Sequence, residues 1–238
     1  MTSQRDRSAL NPTRSFYDRI SWVYDFIADS NERAARDRGI ELLAARSGEK
    51  VLVVGFGTGH SLVALARSVG ITGRIFGVDI SDGMLSVARR RALEEHVADR
   101  VKILLGDARQ LPSGDSQFDA VFMAFTLELF KDTDIAAVLE EIRRVLRSGG
   151  RFGLVAMSKE QQEALITQIY VWTHRHFPQW VDCRPISVVT RLQEAEFVIE
   201  RSEALSIWGL TVAVVLASKP GDVPVTHQYK LSFFNNLS

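Results

Sequence analysis

The sequence predicts an α/β protein built on a doubly wound, mostly parallel, seven-stranded sheet that ends in a C-terminal antiparallel hairpin strand. Three observations carry that expectation. Strand-like and helix-like stretches alternate from residue 51 to about residue 157, the apolar run "VLVV" passes directly into glycines 55, 57 and 59, and two extended stretches close the core with only Trp208 and Gly209 between them.

"KVLVVG" reads as a buried strand, and Leu62, Leu65, Ala66 and Val69 then recur at the spacing of one helical face. "GRIFGVDI" repeats the unit, with Ser81 placed to cap a helix that buries Leu85, Ala88 and Ala92. "RVKILLGD" and "FDAVFMAF" supply a third and a fourth strand across the loop "LPSGDSQ". Ile135, Val138, Leu139, Ile142 and Leu146 form the next apolar stripe, for which "SGG" is the expected C-terminal stop, and "RFGLVAM" is the fifth strand. Parallel neighbours need long crossovers, so strands alternating with helices imply a sheet covered on both faces. "FVIERSEALSI" and "LTVAVVLAS" are close enough in the chain to pair as the antiparallel hairpin.

The ends depart from this alternation. Residues 14–46 read as helical, with Phe16, Ile20, Val23 and Ile27 on one stripe, and give an N-terminal helical lid over 1–46. The core is expected over 47–219. It carries a helical insertion at about 159–195, where a long helix breaks at Pro178 and "SVVTRLQEAE" forms a shorter one. Residues 220–238 form a tail without a clear period.

Composition excludes several function classes. Lys plus Arg and Asp plus Glu both number 29 in 238 residues, so no net field draws in nucleic acid or an anionic membrane. No run approaches the roughly 18 apolar residues of a bilayer span, and the N-terminus lacks a signal-peptide core, so a cytoplasmic address is expected. The single cysteine, Cys183, permits no internal disulfide.

Glycines at a strand-to-helix turn let a ligand approach bare backbone and leave helix N-terminal N–H groups available to it. That is a nucleotide-like cofactor site. A dinucleotide fingerprint wants G-x-G-x-x-G, whereas Gly55, Gly57 and Gly59 are spaced G-x-G-x-G and His60 stands where the third glycine of that fingerprint would fall.

The glycine loop, the acid ending the second strand in "GVDIS", "GDARQLP" after the third strand and "LRSGGRF" opening the fifth occur in the order found in class I S-adenosylmethionine-dependent methyltransferases, which the sequence resembles. "FYDRISWVYD" and the ordered run from 47 to 157 bring it nearest the branch of ubiquinone and menaquinone C-methyltransferases. The resemblance implies a Rossmann-like sheet and S-adenosylmethionine as cofactor. It implies that Gly55, Gly57 and Gly59 lie under the cofactor, that Asp79 accepts from both ribose hydroxyls, and that Asp107 and the Ala108 backbone meet the adenine edge. Asp107 is equally a turn former. Ile80 and Met84 would bracket the base or serve as plain core, and Tyr17 and Tyr24, seven residues apart, resemble tyrosines that close over the cofactor. Relatives commonly place an acid two residues before the first glycine; here that residue is Val53, and Phe56 stands where a small residue is usual.

The acceptor should lie beyond the carboxyl ends of the strands. "AFTLEL" after the fourth strand lacks the Asn/Asp-Pro-Pro-aromatic motif of amino-methylating enzymes, which makes Phe125, Thr126 and Glu128 candidate pocket residues. Glu128 is a candidate base for a phenolic acceptor, with a surface or ion-paired glutamate as the bland alternative. His174 is a second candidate base, with Tyr170 and Trp172 as an aromatic cover. His174, His176, Asp182 and Cys183 crowd together without metal spacing, since helical residues two apart diverge. The expected partner is a small-molecule substrate, with methyl transfer to carbon favoured over oxygen or nitrogen; an RNA or protein methyltransferase and a non-catalytic cofactor-binding protein are the other readings. A homo-oligomer through the N-terminal helices is also open.

Overall fold

The computed structural model describes residues 31–159, 186–207 and 210–221. Its elements follow the expected alternation: α1 (Asn31–Leu43), β1 (Lys50–Val54), α2 (His60–Val69), β2 (Arg74–Asp79), α3 (Asp82–Glu94), β3 (Val101–Leu105), β4 (Phe118–Ala124), α4 (Asp132–Val145), β5 (Leu146–Met157), α5 (Val188–Glu194), β6 (Val198–Ile207) and β7 (Leu210–Ser218). A single 3-10 turn, Leu127–Leu129, follows β4.

The seven strands run in the order β3-β2-β1-β4-β5-β7-β6. β3 through β5 are mutually parallel, and β7 pairs antiparallel with both β5 and β6. The strand order reverses between β1 and β4, which opens a crevice at their carboxyl ends. β1 shows why the sheet is covered on both faces. Val51 and Val53 join the core beneath α1, α2 and α3, while Leu52 and Val54 join the core beneath α4 and α5, so alternate residues of one apolar run serve two layers.

Two local expectations are met by hydrogen bonds or corrected. Ser81 caps α3, its Oγ accepting from Met84 N at 3.2 Å. The "SGG" stretch does not stop α4. That helix ends at Val145 and Leu146 is already extended, so Gly149 and Gly150 lie inside β5, where the β4–β5 register shifts between Phe118 and Ala120. The glycines let β5 carry an irregularity instead of ending the helix.

α1 is a flank pinned to the sheet. Gly39 is buried against β5 so closely that an added Cβ would stand 2.4 Å from Val155 Cγ2. Arg38 makes a two-pronged pair with Glu203 of β6, both bonds 2.8 Å, and Arg151 Nε donates to Leu43 O at 3.0 Å. The expected stripe at Phe16, Ile20, Val23 and Ile27 lies outside the described residues. So do the long helix of the insertion and the tail beyond residue 221; the shorter helix of the insertion is α5.

Candidate active site

The glycine loop is shaped by what stands above and below it. Gly55, Gly57 and Gly59 all have left-handed φ, at 67°, 50° and 89°. A Cβ on Gly55 would lie 2.3 Å from Thr126 Oγ1, because the Thr126 side chain sits directly over it and donates to Ala124 O at 2.9 Å. A Cβ on Gly59 would reach 3.0 Å from Ala88 of α3. The close helix contact that a dinucleotide loop assigns to its third glycine is therefore served here by Gly59, which leaves His60 free to be large. Gly59→Ala is expected to cost about 1–2 kcal/mol from its left-handed φ alone. Calorimetry should show Tm falling by about 4–8 °C for about 2 kcal/mol.

Asp79, at the end of β2, is tied into this loop. Its Oδ2 accepts from Gly57 N at 2.9 Å and its Oδ1 from Ser81 N at 3.0 Å. Burial raises its pKa, opposed by those N–H donors. Each oxygen keeps a further lone pair for a ligand hydroxyl. One residue missed by sequence reasoning completes the loop: Arg91 of α3 donates from Nε to Thr58 O at 2.8 Å and lies 3.3 Å from His60 Nδ1. An arginine can only donate, so His60 accepts through Nδ1 in that contact.

After β3, Asp107 is gripped by Arg109. The guanidinium reaches Oδ2 at 2.7 Å, Arg109 N donates to Oδ1 at 2.9 Å, and Arg109 continues to Asp134 at 3.0 Å. The Arg109 side chain beside it holds the Asp107 carboxyl below its ordinary range. Asp107 thus makes a turn and remains ionised, facing a ligand with what Arg109 leaves open.

These groups line one crevice of about 420 Å³ across the carboxyl ends of four strands. Asp107 and Ala108 stand at the β3 end, Asp79, Ile80 and Met84 at the β2 end, the three-glycine loop at β1, and Phe125 and Thr126 at β4, with Gly59 beneath the loop and off the lining itself. Phe125 holds a left-handed φ of 51°, uncommon for an aromatic residue and a local strain of the kind that gathers at functional sites. Glu32 and Arg36 of α1 also line the crevice and were not singled out from the sequence.

Glu128 departs from both of its expected settings. It is not on the crevice wall, which its neighbours Thr126 and Leu129 form, and it is neither surface-exposed nor ion-paired. It is 1% exposed; Oε1 accepts from Met157 N at 3.1 Å, and Oε2 is buried with no hydrogen-bond partner. Burial pushes its carboxyl up to about 7, with Glu32 adding to the rise. Tyr17, Tyr24, His174 and the cluster around Cys183 lie outside the described residues, among which no group of metal-binding side chains occurs.

A methyltransferase domain family matches residues 51–150. The ubiquinone/menaquinone biosynthesis C-methyltransferase UbiE of Pseudomonas putida is 34% identical over 157 residues, a match covering 66% of this chain and 60% of that protein's length. A 2-phytyl-1,4-naphtoquinone methyltransferase of Trichormus variabilis is 30% identical over 174 residues, covering 71% of each chain. The chain belongs to the class I S-adenosylmethionine-dependent methyltransferases. Within that family it is similar to the branch that contains UbiE. A solved methyltransferase from Aquifex aeolicus shares the fold, with a TM-score of 0.61 at 21% identity over 80% of this chain and 94% of the other. The cofactor of this methyltransferase is accordingly S-adenosylmethionine, and the crevice fits it: bare main chain at β1, a carboxylate with spare lone pairs at β2, and length across four strand ends. Among the described residues no helix is long and apolar enough to cross a membrane.

Proposed function

We propose that this methyltransferase alkylates a ring carbon of a small aromatic or prenylated acceptor in the cytoplasm. The observation that carries the reading is the crevice: it runs from Asp107 to Thr126 and ends at β4, beside the buried Glu128. The similarity to quinone methyltransferases supports the acceptor class, and the balance of 29 basic against 29 acidic residues speaks against a nucleic-acid substrate.

When bound, S-adenosylmethionine supplies a methyl carbon made electrophilic by its sulfonium, so the protein's work is placement. Asp79 holds the ribose, the backbone of Gly55 and Gly57 underlies the cofactor, and Asp107 with Ala108 meets the base, which Ile80 and Met84 flank. Phe125 and Thr126 bound the side from which the acceptor approaches. Tyr17 and Tyr24 are proposed to close over the cofactor. Methylating an aromatic carbon releases a proton, and Glu128 Oε2, behind the crevice wall, is the proposed acceptor, reached through one water. A carboxyl titrating near neutrality suits that task. His174 is the other proposed base.

The test is incubation with methyl-labelled S-adenosylmethionine and, in parallel, a demethylated prenyl quinol, a simple catechol and total RNA. Label in a new carbon-bound methyl of the quinol or catechol is the expected result. Label in RNA, or in an oxygen-bound methyl alone, would overturn the proposal.

A further inference from the structure

We propose that the acceptor is an aromatic acid, its carboxylate held by Lys131 at the start of α4 with Lys159 beside it. The proposal rests on the reading above, in which the acceptor approaches from the side of Phe125 and Thr126, and it narrows that acceptor to an anionic one.

The other charges along the crevice are already engaged. Arg109 binds Asp107 and Asp134, Asp79 accepts from Gly57 and Ser81, His60 accepts from Arg91, and Glu32 and Arg36 have partners of their own. Among the described residues, the Lys131 ammonium makes no hydrogen bond or ion pair. It follows Leu129 and Phe130 along the same lining, so a cation stands next to an apolar wall suited to a ring.

Lys131 is also an unfavourable residue for its place. It is the N-cap of α4, and its side chain makes no capping bond. A cation there opposes the helix dipole, where serine, threonine, aspartate or asparagine would cap. Helix stability gives no reason for a lysine; an anionic ligand does.

Lys159 comes to the same end of the crevice from β5. Glu128, three residues before Lys131, accepts from Met157 N at 3.1 Å, and Lys159 lies two residues beyond Met157. Lys159 lines a second cavity of about 200 Å³ together with Asp132, the residue after Lys131. The acids of that cavity are both met by Arg191, Asp132 at 3.5 Å and Glu194 at 3.2 Å, and the Lys159 ammonium is uncommitted among the described residues. Arg36, Arg109 and Arg191 are all engaged, so no guanidinium fork is offered to a phosphate. Ammonium groups acting as point charges suit a carboxylate.

The experiment measures kcat/KM for transfer of labelled methyl to catechol and to protocatechuate, which keeps the catechol hydroxyls and adds a ring carboxylate. Wild type is expected to favour the acid about fivefold, the scale of one ion pair at a partly exposed site, and high salt should shrink that ratio. Lys131→Met should remove most of the preference, Lys159→Met part of it, and Lys131→Arg should keep it. Lys131→Ser, which supplies a cap, should lose the preference while Tm rises by about 2–4 °C, so that the loss cannot be laid to poorer folding. Equal or lower turnover of the acid by wild type, or an unchanged ratio in Lys131→Met, would overturn the proposal and leave the aromatic acceptor standing. Transfer to neither compound would overturn it too, and label in RNA alone would take the aromatic reading with it.

Discussion

Replacing Asp79 with alanine is expected to weaken S-adenosylhomocysteine binding on the order of 100-fold, since two hydrogen bonds from ribose hydroxyls to a carboxylate are each worth about 1.5–3 kcal/mol and part of that is regained by water. Two effects act in the same direction. The ligand loses its charged acceptor, and Gly57 and Ser81 lose the oxygens that hold the loop to the end of β2. Asp79→Asn separates them: one amide oxygen can still accept from Gly57 N, so the loop keeps a tie while the charge is gone. An intermediate loss, about tenfold, is the expected reading for that variant. Because burial raises the Asp79 pKa, the carboxylate of the ligand-free protein takes up a proton at a higher pH than an ordinary aspartate. Affinity should therefore fall as pH is lowered, and sooner than an unperturbed aspartate would require. Calorimetric titration across that range checks both points, and an Asp79→Ala protein with wild-type affinity would remove this residue from the ribose.

What could be read from the sequence, and what could not, divides along the range of the interactions involved. The alternation of strands and helices is local, because apolar residues declare a period of about two or 3.6 within a dozen positions. Asp79 and the glycines are legible for the same reason, since a strand-to-helix turn places them within a few residues of one another. Ser81 declares its role by position alone.

Arg91 does not. It stands in "RRRALEE" beside Arg89 and Arg90, which are exposed, and only the packing of Ala88 beneath Gly59 turns that one arginine toward Thr58 and His60. Glu32 and Arg36 are likewise concealed in "NERAARDRG", where charges on every face of a helix give no hint of which face meets the crevice. Fixing that requires knowing that Gly39 faces β5, a contact between residues 39 and 155. The "SGG" expectation failed for a related reason. Glycine after an apolar stripe is a fair helix stop, but here the last turn passes straight into β5 and the glycines serve the irregular pairing of that strand with β4.

Glu128 is the sharpest instance, because a glutamate in "TLELF" gives no local sign of being fully enclosed, and its enclosure has a measurable consequence. Its carboxyl is pushed up to about 7 in the folded protein against an ordinary value near 4.5. Below about pH 4.5 the group is protonated in both folded and unfolded chains and contributes nothing to the pH dependence. Between the two values the unfolded chain ionises and the folded one does not, so stability declines as pH rises. Above about 7 the full cost of a charge buried without a cation is present, on the order of 3 kcal/mol for a shift of that size. Glu128→Gln keeps an oxygen to accept from Met157 N and abolishes the charge. Its amide NH2 inherits the place of Oε2, which has no acceptor nearby, and this takes back about 1 kcal/mol at every pH. The variant should therefore be slightly less stable than wild type at pH 4 and more stable by about 2 kcal/mol at pH 8, the two denaturation curves crossing in between. If the base role is also correct, the same substitution lowers kcat while S-adenosylhomocysteine affinity holds, and wild-type kcat rises as pH passes through about 7. Denaturant titrations of both proteins at pH 4, 6 and 8 decide the stability claim without reference to catalysis. Parallel curves with a constant offset would mean that Glu128 finds in the folded protein a stabilising partner for its charge.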